Sequence, residues 1–185
     1  MIIGGQSRDY LSDIEAVSFD DDNINCDHTD LPYKVSDHAS VYIPVLNGIL
    51  TCGGEYSEYR EYSEYSEGKP DSSPDISELS KCILQRKGND SDQFPALNSG
   101  RYMLSLTSIA DNIYAIGGCH GECHGGLQNK NTMETINLNT DRQWKKEEMP
   151  FSVYGHCSVK LGNKIIVSGG FDENGNVSKL MLKFT

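Results

Sequence analysis

Two stretches of this sequence gather side chains of the kind that do chemistry. Cys119-His120-Gly121-Glu122-Cys123-His124 packs two thiols, two imidazoles and a carboxylate into six residues. Its Cys-x3-Cys spacing lies within the range of zinc ligands, and imidazole nitrogens are the usual companions of thiolates there. Neighbouring residues rarely reach one ion together, however, and a structural zinc needs four ligands. No second ligand pair stands elsewhere in the chain, so Cys119, Cys123, His120 and His124 would have to supply the whole set. The expectation is no metal and no cofactor; a local disulfide or thiol pair and a plain polar loop are the competing readings.

The second stretch, residues 55–67, repeats Glu and Tyr every third residue and places Tyr56, Tyr59, Tyr62 and Tyr65 beside acidic neighbours. Steps of three residues leave those rings drifting around a helix, and they do not alternate as a strand would require. The run passes into Gly68-Lys69-Pro70-Asp71-Ser72-Ser73-Pro74, a composition that resists a packed core. Residues 55–77 therefore read as a low-complexity insertion within one domain that spans residues 1–185. It is either a loop without specific duty or a tyrosine-rich, phosphorylatable segment that binds a partner.

Catalytic constellations are missing. There is no Gly-x-Ser-x-Gly elbow, no phosphate loop and no His-Glu-x-x-His pair. The 27 acidic residues are scattered through turns. His38 and His156 open equivalent apolar segments, which points to a repeated structural hydrogen bond rather than to catalysis. No catalytic residue is assigned, and the chain is not expected to be an enzyme.

Composition narrows the partners. A formal net charge of −11 repels phosphate backbones and anionic leaflets, so neither nucleic acid nor membrane is expected. A protein with a basic patch is the better match. No apolar run is long enough for a membrane helix, and Met1-Ile2-Ile3-Gly4-Gly5 has no basic and apolar leader pattern. It reads as the end of a strand. Cys26, Cys52, Cys82 and Cys157 lie in apolar, strand-like contexts and read as small core residues. The compartment stays open, with the cytoplasm favoured.

Repetition organises these pieces. Paired glycines close four apolar runs: Gly4-Gly5, Gly53-Gly54, Gly117-Gly118 and Gly169-Gly170. The steps between the first glycines are 49, 64 and 52 residues, the long one containing the tyrosine insertion. Each complete doublet is followed by a polar loop and a strand-like run: residues 15–19, 80–84 and 134–138. Turns rich in Asp and Asn come next, then a small-residue or proline corner, then an apolar run toward the following doublet (38–42, 102–106, 155–159). Four short strands in about 50 residues, without helical periodicity, predict an all-β repeat of small sheets that bury their faces on one another.

The repeat resembles the Kelch family. Its best copy runs from Tyr102 to Pro150, with Gly117-Gly118, then Glu134, then Trp144, then Met149-Pro150. Leu138 stands where the family usually has Tyr. The resemblance implies a β-propeller of about three and a half four-stranded antiparallel blades, partial or open, with further blades or an oligomer completing it. It also implies a protein-binding rim formed by the loops after each doublet and before each inner strand. That rim would carry Arg101, Tyr154, Phe171, His120, His124 and the four insertion tyrosines, with Arg101 forking onto a partner carboxylate. Many relatives receive substrates for cullin-type ubiquitin ligases. Two other classes share the scaffold: enzymes resembling galactose oxidase or sialic-acid isomerases, and actin-associated structural proteins.

Overall fold

The computed structural model describes residues 2–6, 10–20, 23–57, 76–86, 91–120, 131–178 and 181–184. They are strands and turns, interrupted among the described residues by a single 3-10 turn at Pro44–Leu46. The chain divides into two compact units, Met1–Ser36 with Glu55–Ser77, and Asp37–Gly54 with Glu78–Thr185.

In the first unit, β1 (Ile2–Gln6), β2 (Tyr10–Asp20) and β3 (Asn23–Asp30) form an antiparallel meander in that order. Its register shifts between Ile3 and Gly5, at the first glycine doublet.

The second unit is built of three further meanders. In the second blade, β4 (Ala39–Ile43) pairs with β5 (Gly48–Cys52); the chain between carries β6 (Glu55–Ser57) and β7 (Ile76–Glu78), a small sheet of their own that, apart from Glu78, belongs to the first unit. The chain returns as β8 (Cys82–Arg86) beside β5, and β9 (Ser91–Phe94) takes the edge. The third blade is β10 (Ser105–Ile109), β11 (Asn112–Ile116), β12 (Thr132–Asn137) and β13 (Lys145–Glu148). The fourth is β14 (Cys157–Leu161), β15 (Lys164–Ser168) and β16 (Met181–Phe184). The four-stranded antiparallel blade expected from the repeat is thus present. The inner strand of the third blade starts at Ser105 rather than Tyr102, and Trp144 immediately precedes the fourth strand.

Local chemistry explains the regularity. β12 alternates inward Thr132, Glu134 and Ile136 with half-buried neighbours, the period of two that a pleated strand imposes. Its turn is tied by side chains: Asn137 Oδ1 accepts from the Asn139 and Thr140 amides, and Asp141 Oδ2 accepts from the Asn137 amide. One core cluster joins second-blade Ile43, Leu50 and Leu84 to third-blade Leu106, Ile113 and Trp144. Another joins third-blade Ile116 to Val153, Ile165 and Val167 of the fourth blade. Within the second unit each blade hides one face on the next, as repeat architectures require.

Three cysteines depart from expectation. Cys52 and Cys82 face each other across β5 and β8 and form a disulfide, where both were expected as free thiols. They are nonetheless core residues, 0% and 3% exposed. Cys157, also expected in the core, is an exposed free thiol. Val159 and Leu161, two and four residues further along β14, are exposed as well.

The doublets show why glycine is needed. Gly53 and Gly169 open equivalent pairs with φ of +72° and +74°. A Cβ on Gly53 would stand 2.5 Å from the Arg101 carbonyl oxygen of the next blade, whereas one on Gly169 meets nothing within 4 Å. Left-handed backbone costs any other residue roughly 1–2 kcal/mol; the carbonyl collision adds to that only at Gly53. Gly53→Ala is therefore expected to destabilise the fold by about 3 kcal/mol or more, and Gly169→Ala by about 1–2 kcal/mol. Chemical denaturation of the two variants measures the difference.

Candidate functional site

The connection from β9 to β10 shows how one blade takes hold of the chain arriving from its predecessor. Glu134 on β12 is completely buried, and so is Arg101. Arg101 Nη2 donates to Glu134 Oε1 at 2.5 Å, while Nη1 donates to the carbonyls of Gly117 at 2.9 Å and Thr132 at 3.1 Å. Glu134 Oε2 also accepts from the Asn98 backbone amide at 2.7 Å and from Asn98 Nδ2 at 3.0 Å. Asn98 Nδ2 donates to the Trp144 carbonyl, and the Trp144 indole donates to the Pro95 carbonyl at 2.7 Å. Residues 95–101 are thereby fastened to the third blade at both ends. Burial lowers the Arg101 pKa, and the adjacent Glu134 carboxylate opposes that shift.

Above this clamp, loops pair in a repeating way. Tyr102 and Cys119 exchange backbone hydrogen bonds of 3.2 and 2.8 Å, and Tyr154 and Phe171 exchange bonds of 3.2 and 2.9 Å. Ser36 and Glu55 make the same exchange within the first unit, at 3.1 and 2.9 Å. The residue after each of Ser36, Tyr102 and Tyr154 has positive φ: Asp37, Met103 and Gly155. These three are linked in series, with the Met103 amide on the Asp37 carbonyl and the Gly155 amide on the Met103 carbonyl. The inner strands are thus tied edge to edge through their entry turns.

The Phe171 loop carries the most developed surface. Its ring stacks on Tyr154 with centroids 5.4 Å apart. Tyr154 is 2% exposed while Phe171 is 40% exposed and Val177 69%. The Asp172 carboxylate accepts from the Asn174 and Asn176 backbone amides, both at 2.9 Å. The Asn176 amide contributes most to holding that carboxyl below its usual range. A cavity of about 200 Å³ opens beside the loop, walled by Phe151, Val153 and Val167, with Asp172 and Glu173 among its lining.

Comparison with known proteins fits this geometry. Over 173 residues, 92% of this chain, it is 27% identical to Kelch-like protein 40 of Xenopus tropicalis. The blades resemble Kelch repeats. The chain spans about a quarter of that relative's length, 25%. Among solved structures, that of YjhT shares the fold with a TM-score of 0.54 at 18% identity, covering 77% of this chain and 36% of that one. No family model matches the sequence.

The rim expected from the Kelch resemblance differs in several residues. Arg101 is not a rim residue: desolvated and spent on Glu134 and two carbonyls, it cannot reach a partner carboxylate. Tyr154 lies beneath the rim and supports Phe171 rather than making contact itself. His120 is exposed at the start of its loop, and Tyr56 is half-buried in β6. Tyr59, Tyr62, Tyr65, Cys123 and His124 lie outside the described residues. Cys119 is fully buried and disulfide-bonded, so its sulfur is no free thiolate for a metal. No group of three or more His, Cys, Asp or Glu able to hold a metal occurs among the described residues. Glu134 and Asn98 are the functional pair that sequence reasoning passed over. Glu134 stands at the start of the strand-like run 134–138, and nothing local marks its link to a residue 36 positions earlier.

The clamp predicts a specific energy pattern. Register places Glu134 opposite Ala115, and Leu182 opposite the equivalent Val167 of the fourth blade. There Val153 occupies the place of Arg101 and Leu182 the register position of Glu134, so the fourth blade has no ion pair at these positions. Arg101→Val alone strands a buried carboxylate and is expected to cost about 3–5 kcal/mol. Adding Glu134→Leu should recover a large part of that loss, read as coupling in a double-mutant cycle by denaturant unfolding.

His156 predicts a pH dependence. Its Nε2 lies 2.7 Å from Ser105 Oγ of the preceding blade, and burial lowers its pKa from 6.5 to about 4. The folded form therefore resists protonation while the unfolded form accepts it. Its stabilising contribution is complete above about pH 6.5 and falls as the pH drops toward 4, by at most on the order of 3 kcal/mol. His156→Gln should flatten the stability–pH slope in that window, as unfolding midpoints between pH 7 and 4 will show.

Proposed function

We propose that this chain is a protein-interaction module whose Kelch rim, centred on the Phe171–Val177 loop, grips a basic segment of a partner protein. The observation that carries the reading is the pairing of an exposed aromatic surface with an acidic cavity. Phe171 offers an apolar ring held by its stack on Tyr154. Beside it, Asp172 is kept ionised by backbone amides, so the charge is fixed in place rather than carried on a free side chain. A cavity with apolar walls and carboxylates in its lining suits an arginine or lysine, whose stem packs while its head pairs. The chain's −11 net charge supports the same choice of partner by favouring encounter with basic surfaces.

A finer reading is that the module receives substrates for a ubiquitin ligase. The supporting observation is the match to a Kelch-like protein over 92% of the chain. The rim carries the first reading whether or not the second holds.

Selection of displayed random peptides on the purified chain provides the test. Enriched peptides should be basic and should weaken in binding with rising salt. Phe171→Ala and the double variant Asp172→Asn/Glu173→Gln should each reduce affinity about tenfold or more, about 1.4 kcal/mol, with unfolding midpoints near the parent's. Enrichment of acidic or purely apolar peptides, or undiminished binding to these variants, would defeat the proposal.

A further inference from the structure

Two asparagines of this chain stand directly before a glycine, Asn47-Gly48 and Asn174-Gly175. Such a pair can react with itself. The main-chain nitrogen of the glycine attacks the side-chain carbonyl carbon of the asparagine. A bond from that nitrogen to Cγ forms, the bond from Cγ to Nδ2 breaks, and the amide proton departs with Nδ2 as ammonia. Water then opens the cyclic imide at one carbonyl or the other. The products are aspartate and isoaspartate, in which the main chain runs through the side-chain carbon. Water is the only other reactant. Glycine allows the attack because no Cβ crowds its nitrogen. Two further conditions are structural: the asparagine side chain must swing freely, and the glycine amide must be able to leave its place.

Asn47 meets neither condition. Its backbone is left-handed, with φ and ψ both 46°. Its side-chain oxygen accepts from the Tyr42 hydroxyl at 3.2 Å, and its amide donates to the Pro44 carbonyl at 3.1 Å. Gly48 is buried and stands in register between Ile43 of β4 and Arg86 of β8. A Cβ there would lie 2.9 Å from the Gln85 carbonyl oxygen. Ring closure at Asn47 requires a central strand to leave its sheet.

Asn174 meets both. Asn174 and Gly175 are exposed, and the Asn174 side chain makes no hydrogen bond among the described residues. A Cβ on Gly175 would meet only the Tyr154 hydroxyl oxygen, at 3.8 Å. One bond restrains the nucleophile: the Gly175 amide donates to the Asp172 carbonyl at 3.0 Å. Opening a single exposed hydrogen bond slows the reaction about tenfold at most, about 1.4 kcal/mol.

We infer that Asn174 is a site of spontaneous deamidation in the folded protein, that Asn47 is not, and that the isoaspartyl product takes apart the Phe171–Val177 loop. The loop depends on convergence. The amides of Asn174 and Asn176 meet on one oxygen of Asp172, and the Asp172 amide returns to the Asn176 carbonyl at 2.9 Å. An isoaspartyl link adds a main-chain carbon between those two donors, so they no longer converge. The Asp172 carboxylate is then released from its fixed position, and the bridge of Phe171 to Val177 loses its support. The chemical step is independent of the rim reading; its effect on partner binding rests on that reading.

The test incubates the full chain in neutral buffer at physiological temperature, beside synthetic peptides of residues 43–51 and 170–178. Mass spectrometry of digests follows conversion at each asparagine, and methyl labelling by an isoaspartyl methyltransferase reports the isoaspartyl link. Asn174 should convert at a rate within about tenfold of its free peptide, and Asn47 at least about a hundredfold more slowly than its own. Slower conversion at Asn174, or faster conversion at Asn47, overturns the proposal. In the converted protein the Asn176 amide should exchange hydrogen faster, and basic peptides selected on the rim should bind about tenfold more weakly. Asn174→Asp, which adds the charge but keeps the main chain, should instead tighten that binding. Unchanged exchange at Asn176 overturns the loop account, as does an equal loss of binding in Asn174→Asp. If no basic peptide binds even the fresh protein, the rim reading fails, and the mass and exchange measurements still decide this one.

Discussion

A side-chain carbon on Gly117 would collide with the Val153 carbonyl oxygen, and one on Gly53 with the carbonyl of Arg101. The rest of the structure depends on this close approach of main chain to main chain. A small twisted sheet of four or five-residue strands cannot cover both of its faces. Its neighbour must come near enough for side chains on facing strands to interlock, and at the doublets the backbone itself sets the distance. Once there, the Gly54 amide bonds the Arg101 carbonyl and the Gly118 amide bonds the Val153 carbonyl. The polar groups brought together by the approach are thus satisfied by it, which avoids the cost of burying them unpaired. Glycine at these places is a requirement of the stacking, not of the loop alone.

Connections between blades need a different device, because a chain leaving one sheet for the next carries unpaired amides into the interior. Glu134 answers that need by accepting from the Asn98 amide and side chain while Arg101 balances its charge. A buried ion pair is seldom a strong net stabiliser, since desolvation offsets most of the Coulomb attraction. Its value here is geometric: it fixes the position of residues 98–101, and so of the entry turn at Met103. The fourth blade has Val153 and Leu182 at the equivalent positions, so the same architecture forms there without this ion pair. A cavity lined by Val153, Asp172 and Glu173 opens beside the Phe171 loop there.

Much of the fold could be read from the sequence because its strongest constraint is also its most visible. Paired glycines after apolar runs, at steps near 50 residues, reveal where backbones must pass closely, and alternation in runs such as 134–138 reveals the strands between them. The site was less legible. Arg101 reads as a loop residue because its neighbours Asn98, Ser99 and Gly100 are polar or small; burial comes from Glu134 and Thr132, more than 30 positions away. Tyr154 fails as a contact residue for a related reason: an aromatic residue in a loop is equally suited to touching a partner and to supporting the residue that does. Cys52 and Cys82 are 30 positions apart, and only the pairing of β5 with β8 brings them opposite one another. Local pattern reports which backbone shape a segment prefers, whereas these roles are decided by the register between segments.

The same distinction bears on how a repeat protein acquires function. Where every position in a blade is satisfied by the next blade, the surface left over is inert. Interest gathers where equivalence is broken. Position 101 holds arginine but its counterpart 153 holds valine, and a cavity with carboxylates results. Gly53 is crowded, while Gly169 faces open space. Each break leaves polar or apolar surface prepared by the repeat for a group that the blade itself does not provide. Binding sites in such a chain therefore follow from subtraction: the framework specifies the shape and chemistry of the missing group, and a partner able to supply it meets a surface already ordered to receive it.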